Sequence, residues 1–182
     1  MSNAFEFAET YGPYTYRDYI SWGEGFKCEL IGGIVYMMSS PSLWHQRLLK
    51  NLAIQLESVC KGKPCEVLIS PVDVILSEDK VDGTTIVQPD LFIVCDESKL
   101  ENGKECRGAP DFVIEIVSGS SAIYDLNRKR DLYKKYGVKE YWVVFRNKVI
   151  QFDFINDVEH ELKIKDSLTK SILFGFELDL NT

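Results

Sequence analysis

Histidine is almost absent from this chain: His45 and His160 are the only two among 182 residues. That scarcity excludes a metal centre built from several imidazoles. A Ser-His-Asp arrangement would have to draw on one of these two, and neither stands near a G-x-S-x-G turn. The five cysteines, Cys28, Cys60, Cys65, Cys95 and Cys106, form an odd set without a C-x-x-C pair. This argues against a disulfide framework and a zinc knuckle, and predicts idle, buried thiols. Long apolar runs are missing as well. No stretch of about 18 apolar residues occurs, and no basic segment followed by an apolar one opens the chain. Neither a membrane span nor a secretory signal is visible, so a cytoplasmic protein is expected. Cations are outnumbered: 21 Lys and Arg face 28 Asp and Glu, a formal net charge of −7. Such a chain is ill suited to coating nucleic acid nonspecifically, because phosphate contacts supply most of that affinity. Net charge governs long-range steering, however, and a local basic groove, metal ions or a basic partner would still allow a nuclease.

What is present is enough apolar material, 45% of the residues, to bury a core of one domain spanning residues 1–182. Thr15 with Asp18 three residues on marks a short helix to Trp22, stopped by Gly23 and Gly25. Phe26–Ile31, Gly32-Gly33 and Ile34–Met38 have the composition of a hairpin, with Glu29 on its first strand. Leu48, Leu49, Leu52, Leu56 and Val59 recur at helical spacing from Ser42 to Cys60, and His45 falls on the same inward face. Two apolar runs, Glu66–Leu76 and Thr84–Val94, read as adjacent strands bent at Pro71 and Pro89. A polar surface connection, Asp96–Pro110, leads to the strand Phe112–Val117. A helix from Ile123 to Tyr136 ends at Gly137, and strands follow at Lys139–Phe145 and Val149–Phe154, with shorter ones near Leu162 and Ile172. The fold class is α/β, a mixed sheet flanked by helices.

Two acids stand out within this pattern. Asp90 opens the apolar run Leu91–Val94, and Glu115 sits in the middle of Phe112–Val117. An ionised carboxylate in an apolar sheet is costly unless it is paired, hydrogen-bonded or bound to a metal. Period two places Phe92 and Val94 with Asp90, and Val113 and Val117 with Glu115, so each acid shares its face with core residues. If their strands are neighbours, the two carboxylates meet, repel one another and call for a divalent cation. Oxygen-only ligands suit Mg²⁺ or Mn²⁺ rather than Zn²⁺. A nearby lysine would orient water or offset charge on a phosphoryl transition state. Asp73, in the first of the paired runs, is a secondary candidate.

The order Pro89-Asp90, then a strand glutamate, resembles the PD-(D/E)XK nuclease superfamily. Within it the chain resembles a bacterial group of putative restriction endonuclease-like proteins, formerly a domain of unknown function. The likeness rests on Glu29-Leu30-Ile31-Gly32-Gly33, Met38-Ser39-Ser40-Pro41 with His45-Gln46, Gln88-Pro89-Asp90, Gly108-Ala109-Pro110-Asp111 and Glu115-Ile116-Val117-Ser118. Asp125, Lys129, Tyr133 and Gly137–Trp142 extend it, so that it spans Thr15 to Val144. The standard motif has its lysine two residues after the strand glutamate, where this chain has Val117. What the resemblance implies is a migrated lysine, Lys129, on the following helix, with Glu29 as an added acid. It further implies that Asp90, Glu115, Glu29 and the carbonyl of Ile116 ligate the metal, and that His45, Gln88 and Ser118 support them. The chain departs from the group at Gly119, where a proline is usual, and near Phe145-Arg146, where the group has Asp-Pro.

The first reading is therefore a Mg²⁺- or Mn²⁺-dependent deoxyribonuclease with DNA as substrate. The alternative is a noncatalytic nucleic-acid- or protein-binding module of the same fold, since fold does not prove turnover. Without the resemblance, Asp125 and Lys129 read simply as a surface i,i+4 ion pair. Trp22, Trp44 and Phe174, taken as exposed, suggest a homodimer or higher homo-oligomer.

Overall fold

In the computed structural model, residues 12–23, 25–77, 83–117, 122–164 and 168–181 are described, those at 122–126 by their backbone alone. Helix α1 (Tyr16–Ser21) has the reciprocal cap that its sequence predicts. Asp18 N–H donates to Thr15 Oγ1, and Thr15 N–H donates to Asp18 Oδ2. β1 (Cys28–Ile31) and β2 (Ile34–Met37) form the expected antiparallel hairpin. At its turn Gly33 has a φ of 80°, and a Cβ there would lie 2.5 Å from the Pro13 side chain, so only glycine fits. α2 (Leu43–Cys60) buries Leu48, Leu49, Leu52 and Leu56, and His45 with them.

The two long apolar runs do not form one strand each. The first divides at Ser70 and Pro71 into β3 (Glu66–Ile69) and β4 (Val74–Ile75). The second divides at Pro89 into β5 (Ile86–Val87) and β6 (Leu91–Val94). β3 pairs with β6, and β4 with β5, in separate sheets. Proline lacks the N–H that a continuing ladder needs, so each run leaves one sheet and joins the other beside its proline. The supposed surface connection also contributes a strand. β7 (Cys106–Arg107) pairs parallel with β4 and buries Cys106.

β8 (Phe112–Ile116), α3 (Ala122–Tyr136), β9 (Glu140–Val144), β10 (Lys148–Asp153), β11 (Val158–Lys163), β12 (Thr169–Lys170) and β13 (Glu177–Leu178) complete the chain. The main sheet has the order β11-β10-β9-β8-β6-β3, and its one parallel pair is β8–β9. A smaller sheet runs β2-β1-β5-β4-β7, and β12 pairs with β13. The expected mixed sheet is thus present, joined by a second one.

Each face of the main sheet has its own core. α2 covers Leu91, Ile93, Phe112, Ile114 and Trp142. On the other face Phe92, Val94, Val113, Tyr141 and Val143 pack with Tyr133 of α3 and with Val74 and Val87 of the smaller sheet. By strand alternation Asp90 and Glu115 belong to this second face, as their period predicts. A third cluster under α1 takes Trp22, while Trp44 and Phe174 pack on the first. All three aromatics are half-buried, which corrects the expectation of exposed rings. The cysteines need correction too. The register Glu66↔Val94 sets Cys65 directly opposite Cys95, and the two form a disulfide, while Cys28, Cys60 and Cys106 are buried free thiols. Among the described residues no helix is long and apolar enough to cross a membrane.

Candidate active site

The ladder that joins β6 to β8 fixes the two central acids. Leu91 pairs with Ile114 in antiparallel register, so the next pair outward is Asp90 with Glu115. Asp90 Oδ2 accepts the backbone N–H of Ile116 at 2.8 Å and meets His45 Nε2 at 3.0 Å. Glu115 Oε1 accepts Lys129 Nζ at 2.9 Å and the Tyr133 hydroxyl at 2.8 Å. Glu29 reaches the same place from the smaller sheet, where its Oε1 accepts Lys129 Nζ at 2.8 Å and the N–H of Gln88 at 2.9 Å. The Lys129 ammonium therefore bridges an acid from each sheet.

The acids, His45, Gln88 and Lys129 line a cleft of about 250 Å³, bounded by the β1–β2 hairpin, the start of α2 and the middle of α3. Glu29, His45, Gln88, Asp90, Glu115, Ile116 and Lys129 all contribute to it. Asp73 does not. It accepts hydrogen bonds from Gln88 Nε2 at 2.7 Å and Tyr19 OH at 2.8 Å. Its place is behind Gln88, fastening the residue whose main chain holds Glu29. Ser118 and the side chain of Asp125 lie outside the described residues.

Burial sets the electrostatics. Glu115 is buried, which pushes its carboxyl up to about 7; Lys129 opposes this, while Asp90 and Glu29 add to it. Burial alone would lower the Lys129 ammonium, yet Glu115 and Glu29 outweigh it and hold it well above the ordinary lysine range. His45 is raised chiefly by its hydrogen bond to Asp90, against the lowering effect of burial. Burial and then Glu115 push the Tyr133 phenol far upward, so that it remains a donor.

Among the described residues no group of three or more His, Cys, Asp and Glu side chains is arranged to hold a metal ion. The acids divide into the facing pair Asp90 and Glu115 and the separate Glu29, whose Oε1 is occupied by Lys129 and Gln88. The pair itself has the donors of a hard cation site. No donor among the described residues reaches Asp90 Oδ1 or Glu115 Oε2, and Ile116 lines the same cleft. Two carboxylate oxygens and a main-chain carbonyl suit Mg²⁺ or Mn²⁺, which retain water in their remaining positions.

Sequence reasoning gave no role to several residues that shape this cleft. Tyr133 stands four residues after Lys129, one turn along the same helix face, and that spacing could have revealed it. Arg128, which lines the cleft over the Tyr36 ring, left no such signal because its partner is distant in sequence. His45 Nδ1 is the only buried side-chain nitrogen or oxygen without a partner among the described residues.

Comparison with known proteins agrees with this architecture. A crystal structure of a putative nuclease of the DUF820 group from Anabaena variabilis ATCC 29413 superposes with a TM-score of 0.71 at 19% identity, over 92% of this chain and 96% of that one. That likeness shows the fold. No curated protein matches the chain. The profile of the Uma2 family, described as putative restriction endonuclease, matches residues 15–179. With almost its whole length matched, the chain belongs to the Uma2 family of putative restriction endonucleases.

Proposed function

We propose that the protein is a metal-dependent deoxyribonuclease that hydrolyses phosphodiester bonds in this cleft. The observation that carries the reading is the facing pair Asp90 and Glu115, with the Lys129 ammonium held against Glu115 in the same cleft. Asp90, Glu115 and the Ile116 carbonyl would hold Mg²⁺ or Mn²⁺, with Glu29 as an added acid. Bound there, the cation would polarise water and offset charge on the phosphoryl oxygens. Lys129 supplies a fixed positive charge beside the reacting phosphate and orients the attacking water. His45 and the Ile116 N–H hold Asp90 in place, and Tyr133 does the same for Glu115. Hydrolysis adds the water oxygen to phosphorus, breaks one P–O ester bond and delivers a proton to the leaving oxygen.

A second reading, a noncatalytic module that binds nucleic acid or a protein, is favoured by one feature. The third acid, Glu29, is engaged by Lys129 and does not complete a three-carboxylate cluster. DNA as substrate, a homo-oligomeric state and a cytoplasmic location rest on the sequence reading. Calorimetric titration of Mg²⁺ and Mn²⁺ into wild type and Asp90→Ala, with nicking of supercoiled plasmid by both, separates the readings. Metal binding and nicking that vanish together in the variant support the nuclease. Metal binding without cleavage of any DNA supports the module, and a wild type that binds no metal refutes the site.

A further inference from the structure

Lys129 has two carboxylate partners, and they differ in what stands behind them. Glu115 belongs to the main sheet, where it faces Asp90 and is held by the Tyr133 hydroxyl. Glu29 belongs to the smaller sheet, and its Oε1 accepts Lys129 Nζ at 2.8 Å and the Gln88 N–H at 2.9 Å. Val74 pairs with Val87 in antiparallel register, so the next pair outward on β4 and β5 is Asp73 with Gln88. Gln88 Nε2 donates to Asp73 Oδ1 at 2.7 Å and to the Tyr19 hydroxyl at 3.2 Å. Tyr19, on α1, donates to the same Asp73 oxygen at 2.8 Å. Three side chains thus close a ring behind Glu29.

Asp73 is half-buried and has no cation among the described ion pairs. Such a carboxylate is costly to keep, and a local rule broken without a gain in stability points to a positional role. Burial, then Asp73, push the Tyr19 phenol far upward, so it stays a donor within the ring. Neither Asp73 nor Tyr19 lines the cleft, so both reach it only through Gln88. Asp90 has separate supports: Ser70 N–H donates to its carbonyl, while Ile116 N–H and His45 hold its carboxylate. What the ring fixes is therefore the Gln88 main chain, and with it the Glu29 carboxylate. Glu29 does not complete a cluster of three acids placed for one ion. A cation held by Asp90 and Glu115 would share the charge of Glu115, and Glu29 then remains as the undivided counter-charge of the lysine.

We propose that Glu29 is a positioning residue for Lys129 rather than a metal ligand, and that Tyr19, Asp73 and Gln88 form the arm that holds it there. The arm rests on the nuclease reading and adds to it how the lysine is aimed. Loss of the arm leaves the metal in place and misplaces the ammonium, which lowers the rate of the step that Lys129 assists.

The test combines calorimetric titration of Mn²⁺ with steady-state nicking of supercoiled plasmid at saturating Mn²⁺. It uses wild type, Glu29→Ala, Glu29→Gln, Tyr19→Phe and the double variant Tyr19→Phe/Glu29→Ala, with thermal melting of each. The arm requires Mn²⁺ affinity within about threefold of wild type in all four variants. Turnover should fall about tenfold in Glu29→Ala at unchanged KM. Glu29→Gln keeps an acceptor oxygen for Lys129 and Gln88 and should recover part of that loss. Tyr19→Phe keeps the ring that packs under α1 and should lose about threefold in turnover. The double variant should be no slower than Glu29→Ala alone, because Tyr19 acts only through Glu29. Should Glu29→Ala melt early, Glu29→Gln and Tyr19→Phe decide the matter. Mn²⁺ affinity lost about tenfold or more in Glu29→Gln makes Glu29 a ligand and overturns the proposal. Wild-type turnover in Glu29→Ala, or losses that multiply in the double variant, overturn it as well, and all three outcomes leave the nuclease reading intact. A wild type that binds no Mn²⁺ or nicks no DNA overturns both.

Discussion

Asp90 faces Glu115 across the β6–β8 ladder, and its Oδ2 closes that ladder by accepting the N–H of Ile116 at 2.8 Å. One oxygen therefore serves the sheet and His45, while the other has no donor among the described residues. Asp90→Asn keeps an acceptor for the Ile116 N–H but removes the charge. Its melting temperature is expected within a few degrees of wild type, and its Mn²⁺ affinity at least about tenfold lower, since each tenfold is only 1.4 kcal/mol of lost interaction. Calorimetry with parallel thermal melting checks this. Undiminished Mn²⁺ binding would remove Asp90 from the ligand set.

Lys129 is the only cation within contact of Glu29 and Glu115 among the described ion pairs. Removing one partner of a buried ion pair leaves the other charge uncompensated, at a cost of about 3–5 kcal/mol. Lys129→Met is expected to lose that much in urea unfolding without metal. Adding Glu115→Gln should recover part of the loss, because it takes away one of the stranded charges. A Lys129→Met protein as stable as wild type would mean that water already solvates both acids.

The same burial predicts how the metal-free protein responds to pH. Glu115 is raised from its ordinary value to about 7, and His45 is raised by Asp90. Both groups bind protons more tightly folded than unfolded. Their stabilisation is full below the unfolded pKa values, about 4.5 for the acid and about 6.5 for histidine, and is lost as pH rises through the folded ones. Thermal melting in EDTA should thus show stability falling from about pH 5 to pH 8. Glu115→Gln should flatten the lower part of that fall. A curve rising over this interval in wild type would contradict the assignment.

Much of this was legible in the sequence, for local reasons. The α1 cap, the β1–β2 turn and the α2 stripe each depend on residues a few positions apart, and all three formed as predicted. The acids were legible because Asp90 and Glu115 break apolar runs whose period of two fixes their common face. The two sheets were not. A proline shows where a ladder is interrupted, but not that the chain beyond joins another sheet. The cysteine pair was missed for a related reason. Cys65 and Cys95 are aligned by the β3–β6 register, which spacing along the chain does not reveal. Arg128 with Tyr36, and Tyr19 with Asp73, likewise depend on contacts between distant elements.

Glu140 tests whether every buried acid of this sheet belongs to the cleft. It is fully buried, and its carboxyl accepts Trp142 Nε1 at 2.6 Å, Ser171 Oγ at 2.7 Å, and the N–H groups of Ile172 and Leu173 at 3.0 Å each. These bonds tie the segment after β12 to the start of β9, and Phe174 and Phe176 then pack edge-on against Phe112. Each buried donor left unpaired costs about 1–3 kcal/mol. Glu140→Ala is expected to lose at least about 3 kcal/mol in urea unfolding, more than Glu140→Gln, which retains one acceptor oxygen. Mn²⁺ titration of either variant, at a temperature where it is folded, should match wild type, since Glu140 does not line the cleft. Lost metal binding with stability intact would give Glu140 a place in the site and require the ligand set to be redrawn around β9.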